Sequence, residues 1–170
     1  MNLIKCITVL PLIFISLIVT SFACAAPHEK SAYVEWNIGA ASYARVKYTP
    51  EFNYSEPTSI GSNVNLGYLF NRYFATEIGY TKYNLGGNAP NGVDLAVKFI
   101  YPFNVVNYDL NIFAKIGSAY LPDTGLRPLV GVGAAYQVTP KLDLNTQVED
   151  SLCIDGKSST LLSVGLTYYF

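Results

Sequence analysis

Catalysis near neutral pH most often recruits histidine. This chain holds one, His28, ahead of the first regular segment. From there it is not placed to complete a triad with residues further along. Asp150, Ser151 and Asp155 gather late in the chain with no histidine beside them. Their plainer reading is a solvated loop, so no catalytic residue is assigned. A lipid-modifying enzyme is the least favoured function. Of the three cysteines, Cys6 and Cys24 lie near the N-terminus and Cys153 stands alone. One thiol makes neither an internal disulfide nor a metal site. No metal or cofactor is expected.

A second set of residues has more to offer. Glu35, Glu77, Asp94, Lys98, Lys115, Arg127, Asp143 and Glu149 fall at alternate positions of segments whose other positions are apolar. Placed on the inward face of a closed sheet, they would form an interior polar network. Charges in so narrow a space are tolerable only when matched. With a turn near Gly87-Asn88, Glu77 and Lys98 are expected opposite each other on adjacent strands. Lys115 is expected to reach Glu149 or Asp94 across the lumen, and Arg127 to approach Glu149 near the mouth. Such a network serves as a structural polar plug or as the lining of a small, gated pore.

Those residues are positioned by strands. Val34, Trp36, Ile38 and Ala40 alternate with Glu35, Asn37, Gly39 and Ala41. Seven further runs repeat the period of two that a pleated strand requires. They begin near Asn63, Phe74, Val93, Leu110, Val130, Leu142 and Thr160. Phe113 is the exception, an aromatic on a polar face. The connectors alternate as well. Asn71-Arg72, Pro102–Tyr108 and Thr139-Pro140 are short or moderate. Arg45–Ser62, Asn84–Gly92, Leu121–Leu126 and Asp150–Ser159 are longer and hold most of the Pro, Ser and Gly. Short turns at one end and long loops at the other suit an outer-membrane barrel.

The start of the chain bears on compartment. One positive charge, Lys5, precedes an apolar run from about Ile7 to Val19, and Ala23-Cys24-Ala25 offers a small-x-small cleavage pattern. Residues 1–25 are therefore expected to be a removed signal peptide, and 26–170 one barrel domain. A retained anchor fits less well: the run is short against the about 20 residues of a spanning helix and contains Pro11. Lipidation at Cys24 is the other alternative, and Ser21-Phe22-Ala23 lacks the usual aliphatic residue. Without Lys5, ten Lys and Arg remain against twelve Asp and Glu. No basic patch points to nucleic acid.

The character of the polar face separates lipid from water outside. A soluble sandwich charges its outer face richly. Here that face carries Gly39, Gly67, Gly79, Gly117, Gly131, Gly133 and Gly165 and few charges. Small residues relieve crowding inside a narrow barrel. The 14 tyrosines also fit interfacial girdles. The expected fold is all-β, an eight-stranded antiparallel up-and-down transmembrane barrel. A secreted sandwich or lipocalin-like barrel is the weaker alternative. An even strand count puts both termini on one side, expected to be periplasmic, with the long loops outside.

Three segments carry a resemblance. Gly67–Tyr80 (GYLFNRYFATEIGY) resembles the second-to-third strand hairpin of the OmpA-like eight-stranded barrels, which include the opacity-type porins. Val130–Thr139 is similar to their sixth strand and its turn, and Ser163–Phe170 to their closing strand. The resemblance covers essentially the whole chain after the leader. It implies an integral outer-membrane protein with a structural or minor porin role. The closing strand, with Tyr168 and Phe170, would be an assembly signal. Implied partners are phospholipid and lipopolysaccharide, periplasmic chaperones and the barrel-assembly machinery. No peptidoglycan-binding segment follows the last strand of this sequence, so a cell-wall tether does not carry over. A surface adhesin is the alternative function: Tyr48, Phe52 and Tyr54 on the first loop suit a host or surface ligand, or fold back on the mouth.

Overall fold

The structure is a computed structural model, and it describes residues 30–45, 59–86, 91–105, 108–122, 125–152 and 157–170. The expected leader with Cys24, His28, the first-loop aromatics Tyr48, Phe52 and Tyr54, Cys153 and Asp155 lie outside the described residues.

Eight strands appear in order: β1 (Ser31–Arg45), β2 (Ser59–Asn71), β3 (Phe74–Lys82), β4 (Asn91–Val105), β5 (Tyr108–Leu121), β6 (Gly125–Thr139), β7 (Leu142–Ser151) and β8 (Lys157–Tyr169). Each pairs antiparallel with the next, and β8 pairs with β1 to close a barrel. Closure satisfies the backbone groups that an edge strand would leave bare. Following the register once round starts at Tyr33, passes Gly67, Glu77, Ala96, Gly117, Leu129, Ser151 and Ser159, and returns at Tyr43. The sheet thus closes with a stagger of ten residues. Such a stagger makes the strands tilt, by roughly 35–45° in barrels of this kind.

The alternation read in the sequence is the alternation of the wall. Leu66, Ile78, Leu95, Ile116, Val132, Leu162 and Val164 point out and are exposed. Glu35, Asn37, Asn63, Asn65, Gln147 and Ser163 point in and are buried. A polar inside and an apolar outside is the reverse of a water-soluble barrel, and it requires lipid around the wall. Aromatics gather at the turn end. Tyr68, Phe70, Phe74 and Phe99 form a continuous chain of ring contacts at 5.0, 5.6 and 5.7 Å across β2, β3 and β4. Trp36 also faces out. Its indole N–H donates to Ser62 Oγ at 3.1 Å, so no bare donor meets hydrocarbon.

Several strands run further than the sequence reading placed them, β4, β6 and β8 beginning at Asn91, Gly125 and Lys157 within stretches expected as loop, and two further boundaries have a plain reason. The connector expected over Pro102–Tyr108 is mostly strand, since β4 runs to Val105 and β5 begins at Tyr108. Pro102 is tolerated for a geometric reason. Ile100 N–H, which points the same way, already donates to Tyr73 O beyond the start of β3, so the missing donor of Pro102 faces a place with no partner strand. Likewise β2 begins at Ser59, within the stretch expected as loop, because Ser59 pairs with Ala41 of β1.

Candidate functional site

The eight charged residues singled out by spacing are all buried inside the wall: Glu35, Glu77, Asp94, Lys98, Lys115, Arg127, Asp143 and Glu149. Five of them form one connected cluster across the middle of the lumen. Glu35 stands on β1 with Thr167 of β8 and Asn65 of β2 in register on either side. Its carboxylate is fully buried. Oε1 accepts from Asn37 Nδ2 at 2.9 Å, Asn65 Nδ2 at 3.1 Å and Lys115 Nζ at 3.3 Å. Oε2 accepts from Lys98 Nζ at 2.9 Å and Thr167 Oγ1 at 3.3 Å.

The lysines come from the far wall. Lys98 of β4 and Lys115 of β5 are directly paired across two strands. Like charges in that relation repel unless anions lie between them. Glu77 answers this: Oε1 accepts from Lys98 at 3.0 Å, and Oε2 pairs with Lys115 at 2.7 Å. Glu149 Oε1 takes a third contact from Lys115 at 2.9 Å, and its Oε2 accepts from Asn63 Nδ2, also at 2.9 Å. Tyr33 donates its hydroxyl to Glu77 Oε1 at 2.6 Å. Asn37 bridges to Asn63 Oδ1 at 2.7 Å, which links the Glu35 and Glu149 ends. Three carboxylates thus share two ammonium groups, and amide and hydroxyl donors satisfy the remaining lone pairs.

Room for the long side chains comes from glycine. Lys115 and Phe113 stand in register with Gly131 and Gly133 of β6. A Cβ at Gly133 would run into the Phe113 ring, and one at Gly67 into the ring of Tyr33. Phe113, the aromatic that broke the alternation, lies beneath the ammonium groups. Lys98 Nζ is 4.1 Å and Lys115 Nζ 5.6 Å from its ring centroid. Its π face stabilises cations taken out of water.

Details of the expected network shift. Glu77 and Lys98 do share a face and a salt bridge, but they are not opposite one another: Glu77 pairs with Ala96, and Lys98 with Ala75. The register of β3 on β4 lies two residues from the expected one, so the contact is diagonal. Lys115 reaches Glu149 as expected, and Glu35 and Glu77 besides. Asp94 accepts from Thr81 Oγ1 at 3.2 Å, and Asp143 from Tyr169 OH at 3.1 Å. Arg127 lies toward the loop end, in register with Ala119. Of the late acidic group, Ser151 is buried inside and donates to Ser159 O, whereas Asp150 falls on the opposite face of β7. Spacing did not single out Tyr33, Asn37, Asn63, Asn65, Thr167 and Tyr169. Their signal was available: uncharged polar groups at the same inward parity as the charges.

Each end of the lumen holds an apolar cluster, beside buried polar groups such as Asp94 and Arg127 at the loop end and Gln137 and Asp143 at the turn end. Toward the loops, Ala41, Tyr83, Ala96, Ala119, Leu121, Leu129 and Leu161 pack into one buried cluster. Toward the turns, Tyr33, Leu69 and Ala75 form a second, with Ile100 and Tyr169 against it. The charge cluster lies between two greasy stoppers.

The family comparison agrees with a membrane-spanning fold. The model of the OmpA-like transmembrane domain matches residues 27–170. The chain belongs to that family. It is an integral protein of the bacterial outer membrane. Outer membrane protein A of Shigella flexneri is 25% identical over 180 residues, covering 87% of this chain and 51% of that protein. That of Serratia marcescens is 28% identical over 144 residues, covering 65% and 39%. The chain therefore spans about half the length, or less, of these curated relatives. Among solved structures, the N-terminal barrel of Pseudomonas aeruginosa OprF superposes with a TM-score of 0.54 at 12% identity, covering 84% of this chain and 98% of that one. The attachment invasion locus protein Ail of Yersinia pestis gives 0.52 at 14%, covering 84% and 100%. At these identities the likeness is one of fold.

Lys115 is the natural place to perturb the site. Lys115→Met leaves three buried carboxylates with one lysine, and breaking buried pairs in this way costs about 3–5 kcal/mol. Urea unfolding in lipid vesicles is expected to show a loss of that size, well above the loss for the lipid-facing Val132→Ala.

Proposed function

We propose that the protein is a structural wall element of the outer membrane whose lumen is closed at rest. The observation that carries this reading is the sandwich of one charge cluster between two apolar stoppers. An open aqueous pore needs a polar path from end to end. Leu121, Leu129 and Leu161 at one end, and Tyr33 and Leu69 at the other, oppose one. Conduction would require both stoppers and the lysine contacts to rearrange together, so porin activity is a minor role at most. The interior polar network acts as a plug that holds the far walls together through Lys98 and Lys115.

In this reading residues 1–25 are a cleaved export signal, both termini are periplasmic and the longer loops face outward. Phospholipid and lipopolysaccharide surround the wall. Periplasmic chaperones and the barrel-assembly machinery act during insertion. Phe170 supports the assembly role of the last strand. It is 71% exposed, stacks edge-on with Tyr168 at 5.4 Å, and its N–H donates to Ala32 O across the seam. A second reading rests on the connection between β1 and β2, the longest in the chain, with Tyr48, Phe52 and Tyr54. It makes the barrel a pedestal for a surface-binding loop, as the name of the attachment invasion locus protein suggests for that relative.

Three measurements separate these roles. In planar bilayers the purified protein is expected to give no steady conductance, and sustained open channels would refute the closed lumen. Removing Phe170 is expected to lower outer-membrane assembly several-fold more than Leu142→Ala does, as read by heat-modifiable migration of membrane fractions. Trimming the first loop between Arg45 and Ser59 is expected to leave cell attachment unchanged, and a clear loss would favour the adhesive pedestal.

A further inference from the structure

One sector of the turn-side rim differs from the rest of the outer surface. Lys30 precedes β1, Arg72 lies in the β2–β3 turn, and Lys141 lies in the β6–β7 turn. Because β7 pairs with β8, β8 with β1 and β1 with β2, the three follow one another round the rim. All three are exposed. Exposed rings flank them: Tyr68, Phe70 and Tyr73 on one side, Tyr168 and Phe170 on the other.

Two of the cations, Arg72 and Lys141, sit in hydrogen-bonded turns. Asn71 Oδ1 accepts the Tyr73 N–H at 2.8 Å, and the Arg72 guanidinium lies over the Tyr73 ring at 4.7 Å. Lys141 N–H donates to Thr139 Oγ1 at 3.3 Å, and Lys141 O accepts from Tyr169 N–H at 2.9 Å. Among the described residues, the aspartates nearest this rim face inward. Asp143 is buried and engaged by Tyr169, and Asp109 falls at the inward parity of β5. Among the described residues, the opposite stretch of the rim, around the β4–β5 turn, carries no cation.

We infer that this sector, from the β6–β7 turn past the ends of β8 and β1 to the β2–β3 turn, is a docking surface for the phosphate headgroups of anionic phospholipid. Exposed aromatic rings settle at headgroup depth, which brings the neighbouring cations level with the phosphates. Long Lys and Arg side chains reach into that layer while their stems stay on apolar surface. The guanidinium fork of Arg72 matches a phosphate bidentately. A lipid suits the site better than a free anion, because its acyl chains would lie on Phe70 and Phe170. The assignment of these lipids to the periplasmic leaflet rests on the orientation proposed above. The binding itself does not, since it can be read where both leaflets are alike.

The test is lipid retention. Full-length protein is reconstituted in nanodiscs of phosphatidylcholine and phosphatidylglycerol in equal parts, and the lipids it keeps are quantified by native mass spectrometry. Wild type is expected to enrich phosphatidylglycerol several-fold. The combined variant Lys30→Gln, Arg72→Gln and Lys141→Gln is expected to enrich it little or not at all, with Arg72→Gln alone losing about fivefold or less. Lys82→Gln, toward the loop end, is expected to behave as wild type, and added inorganic phosphate is expected not to displace the lipid. Equal enrichment in the combined variant and wild type overturns the proposal. So does an equal loss with Lys82→Gln, or complete displacement by inorganic phosphate. Circular dichroism confirms that each variant is folded. Cysteine labelling of the turns in whole cells tests the orientation separately, and an inverted barrel would leave the enrichment intact.

Discussion

Closure of the sheet is the constraint on which the rest of the molecule depends. Hydrocarbon offers no partner to a bare peptide group, so a spanning sheet must pair its last strand with its first. Here β8 meets β1 along Tyr33–Arg45, displaced by ten residues from where a flat ring would close. That stagger and the strand number together set a narrow lumen. Narrowness then governs the inward positions. It favours glycine beside Tyr33 and Phe113, and it leaves two lysines within reach of three glutamates from different walls.

The charge cluster follows from the same confinement. An unpaired ammonium in this space would be costly, and so would an unpaired carboxylate. Sharing resolves both. Lys115 contacts Glu35, Glu77 and Glu149, while Asn63 and Asn65 donate to Glu149 and Glu35, and Asn37 to the Asn63 amide oxygen. The contacts join β1 to β4 and β5, strands that share no backbone ladder. The cluster therefore braces the barrel across its diameter, and the backbone braces it round its circumference. Burial of those charges in a low-dielectric interior strengthens the contacts among them.

Much of this was legible in the residues. Strand number, antiparallel order, inward and outward faces and the buried charges followed from a strict period of two. Lipid on the outer side has only one interpretation when Leu66, Ile78, Leu95 and Val132 all lie there. Two things were hidden. The end of β4 was read as a connector because Pro102 marks a break, and the lack of a partner strand on its bare side shows only after pairing. The stoppers were hidden because Leu69, Leu129 and Leu161 sit at inward parity, where a local pattern records only a lapse in alternation.

The sequence by itself determined which side chains meet lipid and which meet the lumen, because side-chain direction in a strand is local and reverses at every residue. It also determined the charges that must find partners. Only the tertiary structure decided which partners they find. Register between strands is not fixed by local pattern, and a register of β3 on β4 two residues from the expected one makes the Glu77–Lys98 contact diagonal. Contacts across the lumen, such as Lys115 with Glu35, depend on the stagger of the whole ring. No stretch of chain contains that quantity, because it exists only once the last strand has met the first.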